Sequence, residues 1–175
     1  MKKIFAFVLV ATMSLSAMAQ HEIGAIVGGL NGLSYKYWFS DNLAVQADLA
    51  VGLTEIAGAT YYKGNKIDSG SEGIYDFTLN PNLLYHIDLP KNFKIYFGGG
   101  VNVGMASNLE NTNSDLIFGK VGVNAAAGVC YRLSNVPLAL AFDFRPGYAA
   151  LFRDADAASI HAFDWKLGFA IRYCL

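Results

Sequence analysis

The stretch Phe163-Asp164-Trp165-Lys166-Leu167-Gly168-Phe169-Ala170-Ile171-Arg172-Tyr173-Cys174-Leu175 decides the fold. Read with the two-residue period of a β-strand, it places Phe163, Trp165, Leu167, Phe169, Ile171, Tyr173 and Leu175 on one face. Asp164, Lys166, Gly168, Ala170, Arg172 and Cys174 fall on the other. A strand that covers the core of a soluble sandwich has no use for seven consecutive large apolar side chains on one side. Lipid contact does, because a strand of about 9–11 residues tilted ~45° spans the hydrocarbon layer of a bilayer.

The same alternation recurs upstream. Leu43, Val45, Ala47, Leu49, Val51 and Leu53 oppose Ala44, Gln46, Asp48, Ala50 and Gly52, and Phe93, Ile95, Phe97, Val101 and Val103 oppose Lys94, Tyr96, Gly98, Asn102 and Gly104. Parity predicts strands over 22–30, 32–39, 43–54, 73–87, 93–106, 116–133, 137–149 and 160–175. No run of 18 apolar residues follows residue 19, so a spanning helix is excluded. The structure that crosses lipid with period-two strands is a closed barrel, since an open sheet edge would leave backbone groups unpaired. The expectation is an all-β fold: a closed, antiparallel, up-and-down transmembrane β-barrel of about eight strands.

The connections support this order. Ser40-Asp41-Asn42, Asp88 to Asn92 and Ser134-Asn135-Val136 are short, whereas 55–72, 107–115 and 150–159 are longer and polar. Short turns inside and long loops outside are the outer-membrane arrangement. Leu30-Asn31-Gly32 reads as a tight Asn-Gly hairpin on the outer side. Tyr37, Phe39, Tyr85, Phe93, Tyr131 and Tyr173 then form one aromatic girdle, and Tyr75, Phe144, Tyr148 and Phe163 the other. Pro81 falls inside a strand, where it cannot donate to a ladder, and a bulge at Asn80-Pro81-Asn82 is the expected repair.

Met1 to Ala19 reads as a cleaved secretory signal, with Lys2 and Lys3 ahead of an apolar run and Ala17-Met18-Ala19 as the cleavage pattern. Residues 20–175 then form the barrel. Removing Lys2 and Lys3 moves the formal charge from −1 to −3, which leaves no basic footprint for nucleic acid. Cys130 and Cys174 point inward with a strand between them, two spacings of ~4.8 Å apart, so two free thiols are expected.

Alternation alone would also describe a lipocalin-like soluble barrel with its apolar face inside. Bulk decides against it: Trp165, Phe169, Phe142, Phe97, Phe93 and Tyr35 exceed what an eight-stranded lumen holds. The chain therefore resembles the small eight-stranded outer-membrane barrels of the OmpA/OmpX type, and the outer-membrane β-barrel proteins common in Bacteroidetes. That resemblance implies the outer membrane of a Gram-negative bacterium as location, membrane lipid as environment and the barrel-assembly machinery as partner. Within it, Lys166, Gly168, Ile171 and Tyr173 look like the C-terminal assembly signal of such proteins, with Leu175 in place of the usual terminal aromatic.

Inward parity collects Lys36, Asp48, Asp76, Lys94, Lys120, Arg132, Asp143, Arg145, Asp164, Lys166 and Arg172. Charges of both signs in a narrow lumen must pair, because an unpaired buried charge costs several kcal/mol. A salt-bridged filling of the lumen is the expected outcome, and a narrow pore for ions or small solutes the alternative. An enzyme is not expected. Ser159 and His161, with Asp154 or Asp156, stand in the reverse of the His-x-Ser order of lipid A deacylases. No cofactor or metal is implied. Function is expected in the outer loops, above all 55–72, where Tyr61, Tyr62, Lys63, Asn65 and Lys66 join aromatic surface to cationic donors for an extracellular ligand.

Overall fold

The structure is a computed structural model that describes residues 20–62, 65–108, 117–152 and 159–175. Eight antiparallel strands form the wall: β1 (His21–Gly28), β2 (Asn31–Trp38), β3 (Leu43–Tyr62), β4 (Asn65–Leu89), β5 (Phe93–Asn108), β6 (Ile117–Arg132), β7 (Leu138–Phe152) and β8 (Ser159–Cys174). Each pairs with its sequence neighbour, and β1 pairs with β8 from Glu22↔Cys174 to Gly28↔Gly168, closing the barrel. Closure leaves no edge in lipid, as the absence of water there requires.

Parity sorts the side chains as the alternation implies. Along β8, Trp165 is 62% exposed on the outer face while Arg172 is fully buried on the inner one. The exposed apolar surface continues around the wall through Leu33, Phe77, Leu83, Phe97, Val123 and Phe142. A soluble barrel with this apolar face inward is thereby ruled out. At the short-turn end, Tyr37 meets Phe39 edge-on with ring centroids 5.0 Å apart, and Phe93 meets Tyr131 at 4.6 Å. Both pairs belong to the lower girdle.

Three local expectations need correction. First, 55–72 is not a loop: β3 and β4 remain paired far beyond the apolar band, from Leu43↔Tyr85 to Tyr62↔Asn65, with one register shift at Thr60/Tyr61. Beyond the lipid both faces of a strand meet water, so the alternation that marks a strand disappears while the ladder continues. Second, Pro81 sits in regular register opposite Ala47, and the β4–β5 pairing resumes in the same register on either side, from Leu79↔Val103 to Asn82↔Gly100. The lost donor interrupts the ladder on one side for two residues without a bulge. Pro146 does the same between β6 and β7, where the pairing skips from Asn124↔Gly147 to Ala127↔Phe144. Third, the β1–β2 turn is made by Gly28 to Leu30, not by Asn31-Gly32. Gly28 takes a φ of 121°, and the Asn31 amide brackets it, accepting from Gly28 N at 3.2 Å and donating to Gly28 O at 2.9 Å.

Because β1 and β2 stop early, β3 and β8 meet above their turn. Ala57 to Tyr61 pair with Ser159 to Phe163. The wall is eight-stranded below this turn and six-stranded above it.

Candidate functional site

The barrel interior is built from the inward positions of the eight strands, where buried polar and charged side chains pack among small and apolar ones such as Ile26, Ala50, Leu84 and Ala126. Among the described residues its buried charges are Lys36, Lys120, Arg145, Lys166 and Arg172 against Glu22, Asp48, Asp76, Asp143 and Asp164, five of each sign. Balanced charge is the condition under which a low-dielectric lumen can hold ions at all.

The charges are grouped in three tiers. Nearest the long hairpin, Asp76 lies between Lys120 and Lys166, hydrogen-bonded to both, with Lys166 Nζ at 3.0 Å. Asp164 completes the group, 3.4 Å from Lys120 and 3.7 Å from Lys166. Gly52, opposite Asp76 on β3, makes room for it, since a Cβ there would lie 2.5 Å from Asp76 Oδ1. In the middle tier Arg145 forks between Asp48 and Asp143, both at 2.6 Å, and Gln46 donates to Asp48 at 3.0 Å. Arg172 Nε donates to Ser34 Oγ at 2.8 Å, and Arg172 also faces Asp143 at 4.0 Å.

The tier at the short-turn end is aromatic. Trp38 Nε1 donates to Glu22 at 2.9 Å, and Arg132 grips the same carboxylate oxygen at 2.7 Å. Lys94 Nζ lies 4.9 Å from the Trp38 ring centre and the Arg132 guanidinium 5.7 Å from it. Lys36 is fully buried without a carboxylate at ion-pair distance among the described residues. Its ammonium is held by the faces of Tyr96 and Trp38, at 4.8 and 5.5 Å, and by His86 Nε2 at 3.4 Å. Such cation–π contacts contribute about 2 kcal/mol when desolvated, part of what a counter-ion would supply.

Of the expected lumen charges, Lys94 and Arg132 rim the interior rather than fill it; their side chains are 22% and 40% exposed. Glu22 and His86 were not expected there. Parity places Glu22 inward with Lys36 opposite, a signal available in the sequence. Asn80, Asn82, Asn102 and Asn124 form a polar floor between the upper tiers, with Asn124 Nδ2 donating to Asn82 Oδ1 at 2.5 Å. A cavity beside them, lined by Leu30, Asn102 and Arg145 among others, measures ≈ 10 Å³. That is room for one water at most.

The two cysteines are buried free thiols, with β7 between their strands. Ser159 and His161 belong to β8 opposite Tyr61 and Ala59, while Asp154 and Asp156 lie outside the described residues. Tyr61, Tyr62 and Lys66 lie in the paired backbone of the β3–β4 hairpin; Lys63 lies outside the described residues. Of the assembly-signal residues, Ile171 and Tyr173 face outward at the β1–β8 seam, opposite Ala25 and Ile23, and Lys166 faces inward.

A closed eight-stranded barrel with an apolar exterior and an ion-paired interior defines the class: the chain has the fold of the small outer-membrane β-barrels. Among solved structures it is similar to Neisserial surface protein A, with a TM-score of 0.53 and 15% identity over 89% of this chain and 93% of that one. It also aligns with the N-terminal β-barrel domain of Pseudomonas aeruginosa OprF, at 0.49 and 15% over 89% and 95% of the two chains. The Escherichia coli outer membrane protein W aligns at 0.48 and 17%, over 91% and 100%. No protein-family model matches the sequence, and no curated protein matches it.

Proposed function

We propose that the protein is a surface-recognition barrel of a Gram-negative outer membrane, with a lumen that serves as a rigid, closed filling and an outer β3–β4 hairpin that makes the contacts. The observation that carries this reading is the pairing of β3 with β4 up to Tyr62↔Asn65, well beyond the apolar band, on a wall braced there by β8. A hairpin held as a continuation of the barrel presents its tip at low entropic cost, which is how recognition residues on a scaffold gain affinity. Tyr61, Tyr62 and Lys66 of that hairpin, with Lys63 next to them in the sequence, suit sugar or protein contacts. The channel alternative is disfavoured by the three interlocked charge tiers and by the ≈ 10 Å³ cavity between them.

Replacing Tyr61, Tyr62, Lys63 and Lys66 together by Ser leaves the backbone ladder in place. The variant should keep heat-modifiable mobility in SDS gels, and binding of barrel-bearing liposomes to glycan arrays should fall at least about tenfold. Neither protein should give unitary steps in planar bilayers. Unitary conductance by the parent, or unchanged binding by the variant, counts against the assignment.

The same reading gives Lys166, Gly168, Ile171 and Tyr173 the role of assembly signal toward the barrel-assembly machinery. Tyr173 sits in the last strand, paired with Leu138 on one side and Ile23 on the other. Tyr173→Asp should lower the outer-membrane level severalfold while Tyr173→Phe leaves it unchanged. Equal levels of the two variants would remove the signal from this position.

A further inference from the structure

Pro146 removes a hydrogen-bond donor from the barrel wall, and a lumen side chain replaces it. The β6–β7 register, Asn124↔Gly147 on one side and Ala127↔Phe144 on the other, sets Ala125 opposite Pro146. Alternate β6 carbonyls point toward β7, as Val123 O does, 3.1 Å from where a Gly147 Cβ would stand. Ala125 O shares that direction, and proline has no N–H to offer it. Asn124 Nδ2 donates to it instead, at 3.3 Å, and also donates to Asn82 Oδ1 at 2.5 Å. An amide nitrogen carries two hydrogens, so both are committed and the orientation of the Asn124 amide is fixed.

That leaves Asn124 Oδ1, which is buried with no hydrogen-bond partner among the described residues; Asn102 Oδ1 and Arg145 Nε are in the same condition. Asn102 and Arg145 are each only 5% exposed. All three residues line the one cavity of ≈ 10 Å³, together with Asp164 and Lys166. The size suits a single water, and the chemistry of the three atoms is as selective as the size. Two carbonyl oxygens need donors, and one guanidinium N–H needs an acceptor. A halide has no hydrogen to give the oxygens. A metal cation cannot accept from Arg145 and would lie beside the Lys166 ammonium. Water has two hydrogens to donate and lone pairs with which to accept.

We propose that this cavity is a binding site for one water molecule, which donates to Asn102 Oδ1 and Asn124 Oδ1 and accepts from Arg145 Nε. The water joins what no side chain joins: Arg145 of the middle tier, the asparagine floor and, through Asn124, the carbonyl that Pro146 leaves open. It belongs to the closed wall and lumen, whatever the outer hairpin binds.

The test uses the full refolded chain in a neutral detergent. A crystal structure fine enough to show ordered solvent should place one peak within about 2.6–3.1 Å of all three atoms. Crystals soaked in sodium bromide or rubidium chloride should give no anomalous peak there. A bromide or rubidium peak makes it an ion site and overturns the proposal, as does the absence of any peak. In solution, a rotating-frame magnetic-resonance spectrum should show cross-relaxation between water and the Arg145 Nε proton, with the sign opposite to chemical exchange. No cross-peak, or one of exchange sign, means that no water resides there. Asn102→Leu keeps the side-chain size and removes one acceptor, and the cross-peak should fall about fivefold, as the loss of one hydrogen bond implies. Heat-modifiable mobility confirms that this variant is folded, and an unchanged cross-peak in the folded variant overturns the proposal. The measurements on the parent chain decide the matter whether or not the variant folds.

Discussion

Asp76→Asn should destabilise the barrel by about 3–5 kcal/mol, the range found when one partner of a buried ion pair is removed. Asp76 is the carboxylate that Lys120 and Lys166 share, and all three are buried. Without it, two ammonium groups face one carboxylate, Asp164, at 3.4 and 3.7 Å. The cavity beside Asp164 and Lys166 has room for about one water, too little to solvate both ammonium groups. Urea unfolding of the barrel refolded in lipid vesicles measures the loss as a lower midpoint with an unchanged slope. The companion variant Asp76→Asn/Lys120→Met restores the charge balance and should recover more than half of that loss. A double variant no more stable than Asp76→Asn alone would show that the three residues do not act as one group.

The ion pairs are legible in the sequence only as a set, not as partners. Parity names the inward residues because each lies an odd number of positions from a lipid-facing neighbour. Which lysine meets which aspartate depends on the stagger between strands far apart in sequence: Asp76 on β4 meets Lys120 on β6 and Lys166 on β8. No local pattern contains that stagger. The alternation was readable where one face met lipid, as in Phe163 to Tyr173, and vanished in Glu55 to Glu72, where the ladder persists in water. Pro81 misled for a related reason. A proline mid-strand suggests a bulge, yet a strand in a barrel has two neighbours, and the ladder with β3 holds Pro81 in register while the one with β5 lapses. The aromatic tier was missed because His86 and Trp38 lie close to short turns, where residues are ordinarily read as interfacial. Their inward parity buries them against Lys36 instead.

Gly24→Val should prevent the barrel from closing. Gly24 faces inward on β1, paired with Ser34 on one side and Arg172 on the other. A Cβ at this position would lie 1.8 Å from the Ile171 carbonyl oxygen and 2.7 Å from Arg172 Cα, both of them backbone atoms of β8. Neither can swing aside as a side-chain tip could, so β8 itself must move away from β1. That movement opens the seam that joins the first strand to the last, and it pulls Arg172 from its hydrogen bond with Ser34 at 2.8 Å. Each backbone group left unpaired at membrane depth costs several kcal/mol. Two or three such groups reach the whole stability of an ordinary domain, about 5–15 kcal/mol. The expected result is a chain that inserts poorly, loses the heat-modifiable SDS band and is degraded by added protease. Ala25→Val, one residue along the same strand but exposed on the lipid-facing side, adds bulk away from the seam and should fold like the parent. If Gly24→Val refolds to the same heat-modifiable band as Ala25→Val, the β1–β8 seam tolerates a side chain there, and the close approach of β8 at Gly24 is not what closes the barrel.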